Sequence, residues 1–372
     1  MKRRNESLSK LFAAVTLTLG TVIFMGQRAG HADPKPERPL GDVQVLASVP
    51  NPPGLPEGIA VNGHTVYVAG PASFATAGTP PSKVFAFDTR TGELERTYTI
   101  QGENLNFPHA NSCIAFDDQE RLYVINLQLG IVRLNLDSGQ QEIYAPPTPD
   151  LPPCGPNAPA DACSPTPVDT PPLANDIAFD AAGNAYVTDS FQATIWRIPA
   201  GGGQNQIWFR DSRLATPFGP NGIRINPSQT KVYFSVTADG VDQYGNFLGG
   251  KIYTLPLVNA PQASDLKIFH AYNGDAPDGM AFGRDDALYV MLAAPFNSGI
   301  SILGPNGTQI ARLHNTNDPL FPYDSPANGA FDKHGNLLVT NHAFATLIPS
   351  HYTVLNVFVD DKGLPLVRPH LP

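Results

Sequence analysis

Beyond residue 10 the sequence has no run of basic residues. That absence excludes a nucleic-acid groove and a patch for anionic lipid, both of which need clustered cations. Long apolar runs are also missing. Only Leu11 to Met25 forms one, broken by Thr and Gly, and no later stretch approaches the ~18 apolar residues a membrane helix requires. Lys2, Arg3, Arg4 and Lys10 precede this run, and Gly30-His31-Ala32 offers small residues after it. The pattern is that of an export signal cut after Ala32, which implies a secreted or periplasmic protein. An uncleaved anchor is the alternative. No Cys stands at the cut, so a lipoprotein is not expected. Removing residues 1–32 takes away five basic groups and one acidic group. The mature chain then has 19 basic and 32 acidic groups, a formal charge of −13.

Cysteine is scarce, with three in 372 residues. Cys154 and Cys163 flank a Pro-rich insertion, Pro146 to Pro172, and in an oxidising compartment are expected to form a local disulfide. Cys113 lies in an apolar phrase and is expected to be a buried free thiol.

Glycine and proline are plentiful, 33 and 38 residues, which suits many tight turns and few helices. Charged residues make up 15% and apolar residues 42%, enough for a large core. One phrase recurs along the chain. Pro220-Asn221-Gly222-Ile223-Arg224-Ile225 runs on to Lys231-Val232-Tyr233-Phe234. The other copies begin at Glu57, Asn111, Asn175, Asp278 and Asn328, each leading to a Tyr-Val or Leu-Val strand. The steps between the six heads are 54, 64, 46, 57 and 50 residues.

Two further strand-like runs follow each phrase, joined by turns such as Asp137-Ser138-Gly139 and Pro305-Asn306-Gly307. In the sixth copy they are Tyr352 to Val359 and Leu364 to Val367. Each unit therefore reads as four antiparallel strands, the blade of a propeller. The expected fold is an all-β six-bladed β-propeller over residues 42–372, after a linker at 33–41. The alternating run Val43 to Val49 has no partner nearby and is expected to close the last blade. The insertion, residues 146–172, is expected on the face where the inner strands begin, overhanging the channel mouth.

The heads of the inner strands converge on the axis, so Glu57, Asn111, Asn175, Asn221, Asp278 and Asn328 are expected to form a ring. Carboxylate and amide oxygens suit one hard divalent cation. Ca²⁺ fits best, with Zn²⁺ or Mn²⁺ as alternatives, and the lack of Cys in the ring argues against structural zinc. Each head taken singly also reads as an ordinary turn former ahead of Gly.

Pro56-Glu57-Gly58, Asn175-Asp176, Pro220-Asn221-Gly222 and Pro277-Asp278-Gly279-Met280 together resemble the regucalcin/gluconolactonase family of six-bladed metal-dependent lactonases, and more distantly the paraoxonases. The resemblance covers roughly residues 42 to 368. It implies that Glu57, Asn221 and Asp278 ligate the cation and that Asn175 contacts the metal or its water and substrate. Asn111, Asp176 and Asn328 would stand behind them or touch substrate. Two departures stand out. Leu173 replaces an Arg of the sugar-lactone members, and Ile177 follows Asp176 where Gly is common, which points to a less polar substrate. The implied reaction is hydrolysis of lactones or related esters, with Asp278 or His109 as the base. His109 is the counterpart of a paraoxonase histidine and reads equally as a histidine without a chemical role. His342 is similarly undecided. A ligand- or protein-binding propeller with a structural cation is the alternative. Other chemistry at the same site, such as organophosphate hydrolysis, isomerisation or a lyase reaction, is a third possibility. The partner expected is a small molecule, and a monomer is the default because a closed propeller hides its edges.

Overall fold

Six four-stranded antiparallel sheets follow one another along the chain. The computed structural model describes residues 38–155, 159, 162–243, 247–295 and 297–372. The expected export segment, 1–32, and residues 33–37 of the linker lie outside them. The inner strands of blades one to six are Ile59–Asn62, Asn111–Phe116, Ala174–Phe179, Phe218–Ile225, Pro277–Phe282 and Pro326–Phe331. In blades one to five the chain then steps outwards one strand at a time. The sixth blade takes its outermost strand, Val43–Ser48, from the other end of the chain, with Val45 opposite Leu355. This closes the six-bladed all-β propeller that the repeat implied.

The second strands are largely buried, because neighbouring blades cover both their faces. Leu122–Asn126, Ala185–Asp189 and Leu288–Leu292 contain no exposed residue. They accordingly read as mainly apolar, with polar residues only at the end, as in Thr188-Asp189 and Asn126. Outermost strands are half-solvated, and in Leu94–Thr99 only Tyr98 is buried.

The recurring phrase also explains how blades hold one another. A Tyr on one second strand meets the Phe that ends the next inner strand, ring edge to ring face. The pairs are Tyr67–Phe116, Tyr123–Phe179, Tyr233–Phe282 and Tyr289–Phe331, with centroids 5.1–5.3 Å apart. Each such pair contributes about 0.5–1.5 kcal/mol beyond its buried area. The Asp that follows several inner strands organises the hairpin beneath. Asp117 accepts from the Gln119 and Arg121 amides and from the Tyr123 hydroxyl.

Two local expectations change. Leu364 to Val367 is not a strand, since Val43–Ser48 already occupies the outer edge of blade six. Residues 359–372 instead cross the face opposite the heads of the inner strands. The Leu364 amide donates to Phe282, Arg368 donates to Val61 and Asn62, and Leu371 is fully buried. Leu366, Val367 and Arg368 cover that end of the channel against Val61, Ala115 and Phe179. The insertion packs on the blade-three loop, where Leu151 and Ser164 bond Gln192 and Thr170 bonds Phe191. Its described residues do not line the central cavity. Cys154 and Cys163 are joined by a disulfide, and Cys113 is free and buried.

Candidate functional site

The Pro-Asn-Gly and Pro-Asp-Gly phrases lie inside strands, not in turns. Pro220 pairs with Val236 and Ile223 with Phe234, so the register slips by one residue between them. The same slip occurs between Ala174 and Ile177, Pro277 and Met280, Pro326 and Gly329, and Asn111 and Ile114. Such a bulge re-aims the side chains it carries.

This register decides which residues are equivalent. Counting back from the paired apolar residue, the heads of the six inner strands are Glu57, Ser112, Asn175, Asn221, Asp278 and Ala327. Asn111 stands one position too early and Asn328 one too late, and a one-residue step in a strand turns the side chain to the other side. Glu57, Ser112, Asn175, Asn221 and Asp278 line one cavity of about 280 Å³, which neither Asn111 nor Asn328 lines. Asn111 is instead held between the Lys83 carbonyl and the Asn126 amide. His109 also lies outside the cavity. It is fully buried, with Nδ1 3.1 Å from the Phe107 carbonyl and Nε2 3.0 Å from the Pro80 carbonyl. Both nitrogens thus face backbone carbonyls, apart from the residues that line the cavity.

Glycines beneath the heads allow the inner strands to approach. A Cβ on Gly222 would stand 2.4 Å from the Asp278 carbonyl, and one on Gly58 2.5 Å from the Ser112 carbonyl. Hydroxyls on the second strands then fix the heads. Ser235 donates to the Asp278 carbonyl at 2.8 Å and Thr340 to the Glu57 carbonyl at 2.7 Å, and Thr188 donates to that of Asn221.

The amides are oriented in the same way. Ser190 donates to the Pro220 carbonyl, which leaves its oxygen lone pairs for the Asn175 amide nitrogen at 3.2 Å. Asn175 Oδ1 is buried and has no hydrogen-bond partner. The Asn221 amide nitrogen donates to Thr237 at 2.9 Å. An unpartnered buried oxygen costs about 1–3 kcal/mol unless something binds it. Burial, and the charges of Glu57 and Asp176, push the Asp278 carboxyl well above its usual range. Two carboxylates and two amides sharing one buried space form an all-oxygen donor set, which suits Ca²⁺ or a similarly hard cation. Among the described residues no group of three or more His, Cys, Asp or Glu side chains is arranged to hold a metal ion.

His342 belongs to the site. It lines the cavity, with Nδ1 3.0 Å from Glu57 Oε2 and Nε2 2.9 Å from the Ala72 carbonyl. A second polar layer lies beneath. Arg224 bonds Asp176 at 2.6 Å and Asn328 at 2.9 Å, and the Asn328 amide donates to Cys113 at 3.1 Å. Burial pushes the Cys113 thiol far up, so it is no nucleophile. Ser112, Ser190 and Thr237 were not legible as site residues from the repeated phrase. Aligning the copies on strand pairing, not on their amides, would have found Ser112.

No family model matches the chain, and no curated protein sequence does. Solved structures do. A calcium-binding regucalcin from Agrobacterium tumefaciens superposes with a TM-score of 0.60 at 16% identity, covering 89% of this chain and 98% of that one. A gluconolactonase-like protein gives 0.55 at 14% identity, covering 87% and 94%. A virginiamycin B lyase from Staphylococcus aureus gives 0.53 at 16% identity, covering 85% and 99%. The structural neighbours thus include regucalcin- and gluconolactonase-like six-bladed propellers at low sequence identity. Such a likeness establishes the fold. A lyase shares it nearly as well, so the chemistry must be argued from the site.

Proposed function

We propose that the protein is an exported, metal-dependent hydrolase of lactones or related esters. What supports this reading is the convergence of Glu57, Asn175, Asn221 and Asp278 on one cavity, with Asn175 Oδ1 left unpartnered. These four side chains would hold one divalent cation, Ca²⁺ by its preference for oxygen ligands. A cation bound there supplies Lewis acidity to an ester carbonyl. The chain's own residues do the rest. Ser190 and Thr237 accept from the two amide nitrogens, and Asn175 Oδ1 is left without a partner. His342 holds Glu57. Asp278, a carboxylate on the cavity lining, is the group assigned to take a proton from water entering the cavity. The closed far end of the channel confines substrate to the face bearing these side chains.

The test is turnover of a lactone and aryl-ester panel by the mature chain, with chelator and then with Ca²⁺, Mn²⁺ or Zn²⁺ restored. Activity that disappears with chelator, returns with metal and is missing in Glu57→Ala and Asp278→Ala supports the reading. Cation binding without turnover favours a binding propeller or a lyase-type reaction. Turnover untouched by chelator and by both substitutions overturns the assigned site.

A further inference from the structure

The wall of the cavity differs in kind from its base. Glu57, Asn175, Asn221, Asp278 and His342 carry the polarity at the base. Phe74, Phe191, Phe218, Phe247 and Phe344 form much of the wall, with Leu127 and Leu173 between them. The rings support one another. Phe74 stacks on Phe191 with centroids 5.9 Å apart, and Phe191 meets Phe218 edge-on at 5.6 Å. Phe74 and Phe344 stay half-exposed at the mouth, 50% and 52% accessible. No Lys or Arg lines the cavity among the described residues.

Much of the hydrogen-bonding capacity of the lining is already committed. Asn175 and Asn221 each donate from the amide nitrogen, to Ser190 and Thr237, and Ser112 donates to the Ala174 carbonyl. Asn175 Oδ1 and the Ser325 hydroxyl are buried lining atoms with no partner, and the first is assigned to the cation. A polyhydroxylated ring would lose its water here and find few replacements, which costs free energy for each unmatched hydroxyl. An anionic group along the wall would find no Lys or Arg among the described lining residues. An apolar chain or aromatic ring would gain from every buried carbon.

Resting on the hydrolase reading, we infer that the substrate is an uncharged lactone or ester whose carbonyl sits at the polar base and whose apolar substituent lies along the phenylalanine wall. The cavity is bounded, at about 280 Å³, so the length of substituent it accepts is limited. The substituent that fills the cavity is therefore of medium length.

The experiment uses the mature protein with Ca²⁺ and a series of γ-lactones bearing alkyl chains of increasing length. A polyhydroxylated lactone and a lactone with a terminal carboxylate serve as comparisons. The expected result is a rise in kcat/KM of about fourfold per methylene, levelling off once the cavity is full, with both comparison lactones poorer than the mid-length alkyl members. Phe191→Ser and Phe218→Ser should flatten that rise. Preference for the polyhydroxylated or anionic lactone, or no dependence on chain length, would overturn the inference. If nothing in the series is hydrolysed, calorimetric titration with N-alkylacetamides separates the two readings. Affinity that grows with chain length keeps the apolar-carbonyl cavity while the hydrolase reading falls. Absence of binding removes both.

Discussion

His342 Nδ1 lies 3.0 Å from Glu57 Oε2, which ties the end of a blade-six strand to the head of blade one. The other ring nitrogen faces the Ala72 carbonyl at 2.9 Å. The imidazole is thereby fixed at both ends, and with it the Glu57 carboxylate. Partners that orient a ligand side chain typically contribute 10–100-fold to metal affinity. His342→Ala should therefore weaken Ca²⁺ binding by about that factor without abolishing it. Isothermal titration calorimetry of the variant checks this, and unchanged affinity would reduce His342 to part of the cavity wall.

Asp278 gives a sharper test, because its buried carboxyl is opposed by the charges of Glu57 and Asp176. Ionising it in the cation-free protein is unfavourable, and a bound cation reverses the balance. Asp278→Asn removes the opposed charge and keeps the shape. The cation-free variant should unfold at a temperature no lower than the parent protein. The parent should gain about 2.7 kcal/mol of stability at a free Ca²⁺ concentration of 100 times Kd, and the variant should gain almost none. Calorimetric scans with and without Ca²⁺ report both quantities. Equal stabilisation of parent and variant would remove Asp278 from the cation site.

The propeller was legible because its interfaces recur in the sequence. A Tyr–Phe pair such as Tyr123 with Phe179, or Tyr289 with Phe331, recurs at four of the six blade junctions, where each blade meets the next in the same way. Glu57, Asn221 and Asp278 were legible because each stands between Pro and Gly. The Gly is demanded by the adjacent strand and not by a turn. Asn111 and Asn328 were misplaced because the copies were aligned on their amides, whereas the bulge sets the register from the paired residues Ile114 and Gly329. Leu364 to Val367 followed a convincing turn, but strand order at a closed ring is a property of both chain ends together. The phenylalanine wall had no sequence signal at all. Phe74, Phe191, Phe218, Phe247 and Phe344 come from four blades at irregular spacing, and only the closed fold brings them together.

Asp88 predicts an acid-side effect on stability away from the site. Its Oδ1 accepts from the Arg90 and Thr91 amides at 2.8 Å each, which lowers the carboxyl to about 2. The folded value is below the unfolded one, near 3.9, so this contribution is present above the unfolded value. It is lost as pH falls from about 4 to about 2. Asp88→Asn keeps an oxygen acceptor and removes the titration. The difference in urea stability between parent and variant should shrink over that window and stay constant above it. A difference that does not vary with pH would show that the turn's hydrogen bonds do not depend on the charge.

Arg224 is the cation beneath the ring, and its removal should be felt throughout the channel. It bonds Asp176 at 2.6 Å on blade three and Asn328 at 2.9 Å on blade six, so one side chain from blade four braces both. Asp176 also accepts from the Ile177 and Ile223 amides. Arg224→Met leaves that buried carboxylate without its counter-charge, a change that typically costs about 3–5 kcal/mol. Adding Asp176→Asn removes the stranded charge, and the double variant should recover most of the loss, because a buried ion pair contributes little beyond a neutral pair of similar shape. Chemical unfolding of the parent, both single variants and the double variant gives the coupling energy directly. Additive losses would mean that Arg224 acts by filling the channel, and that Asp176 is held by its backbone donors alone.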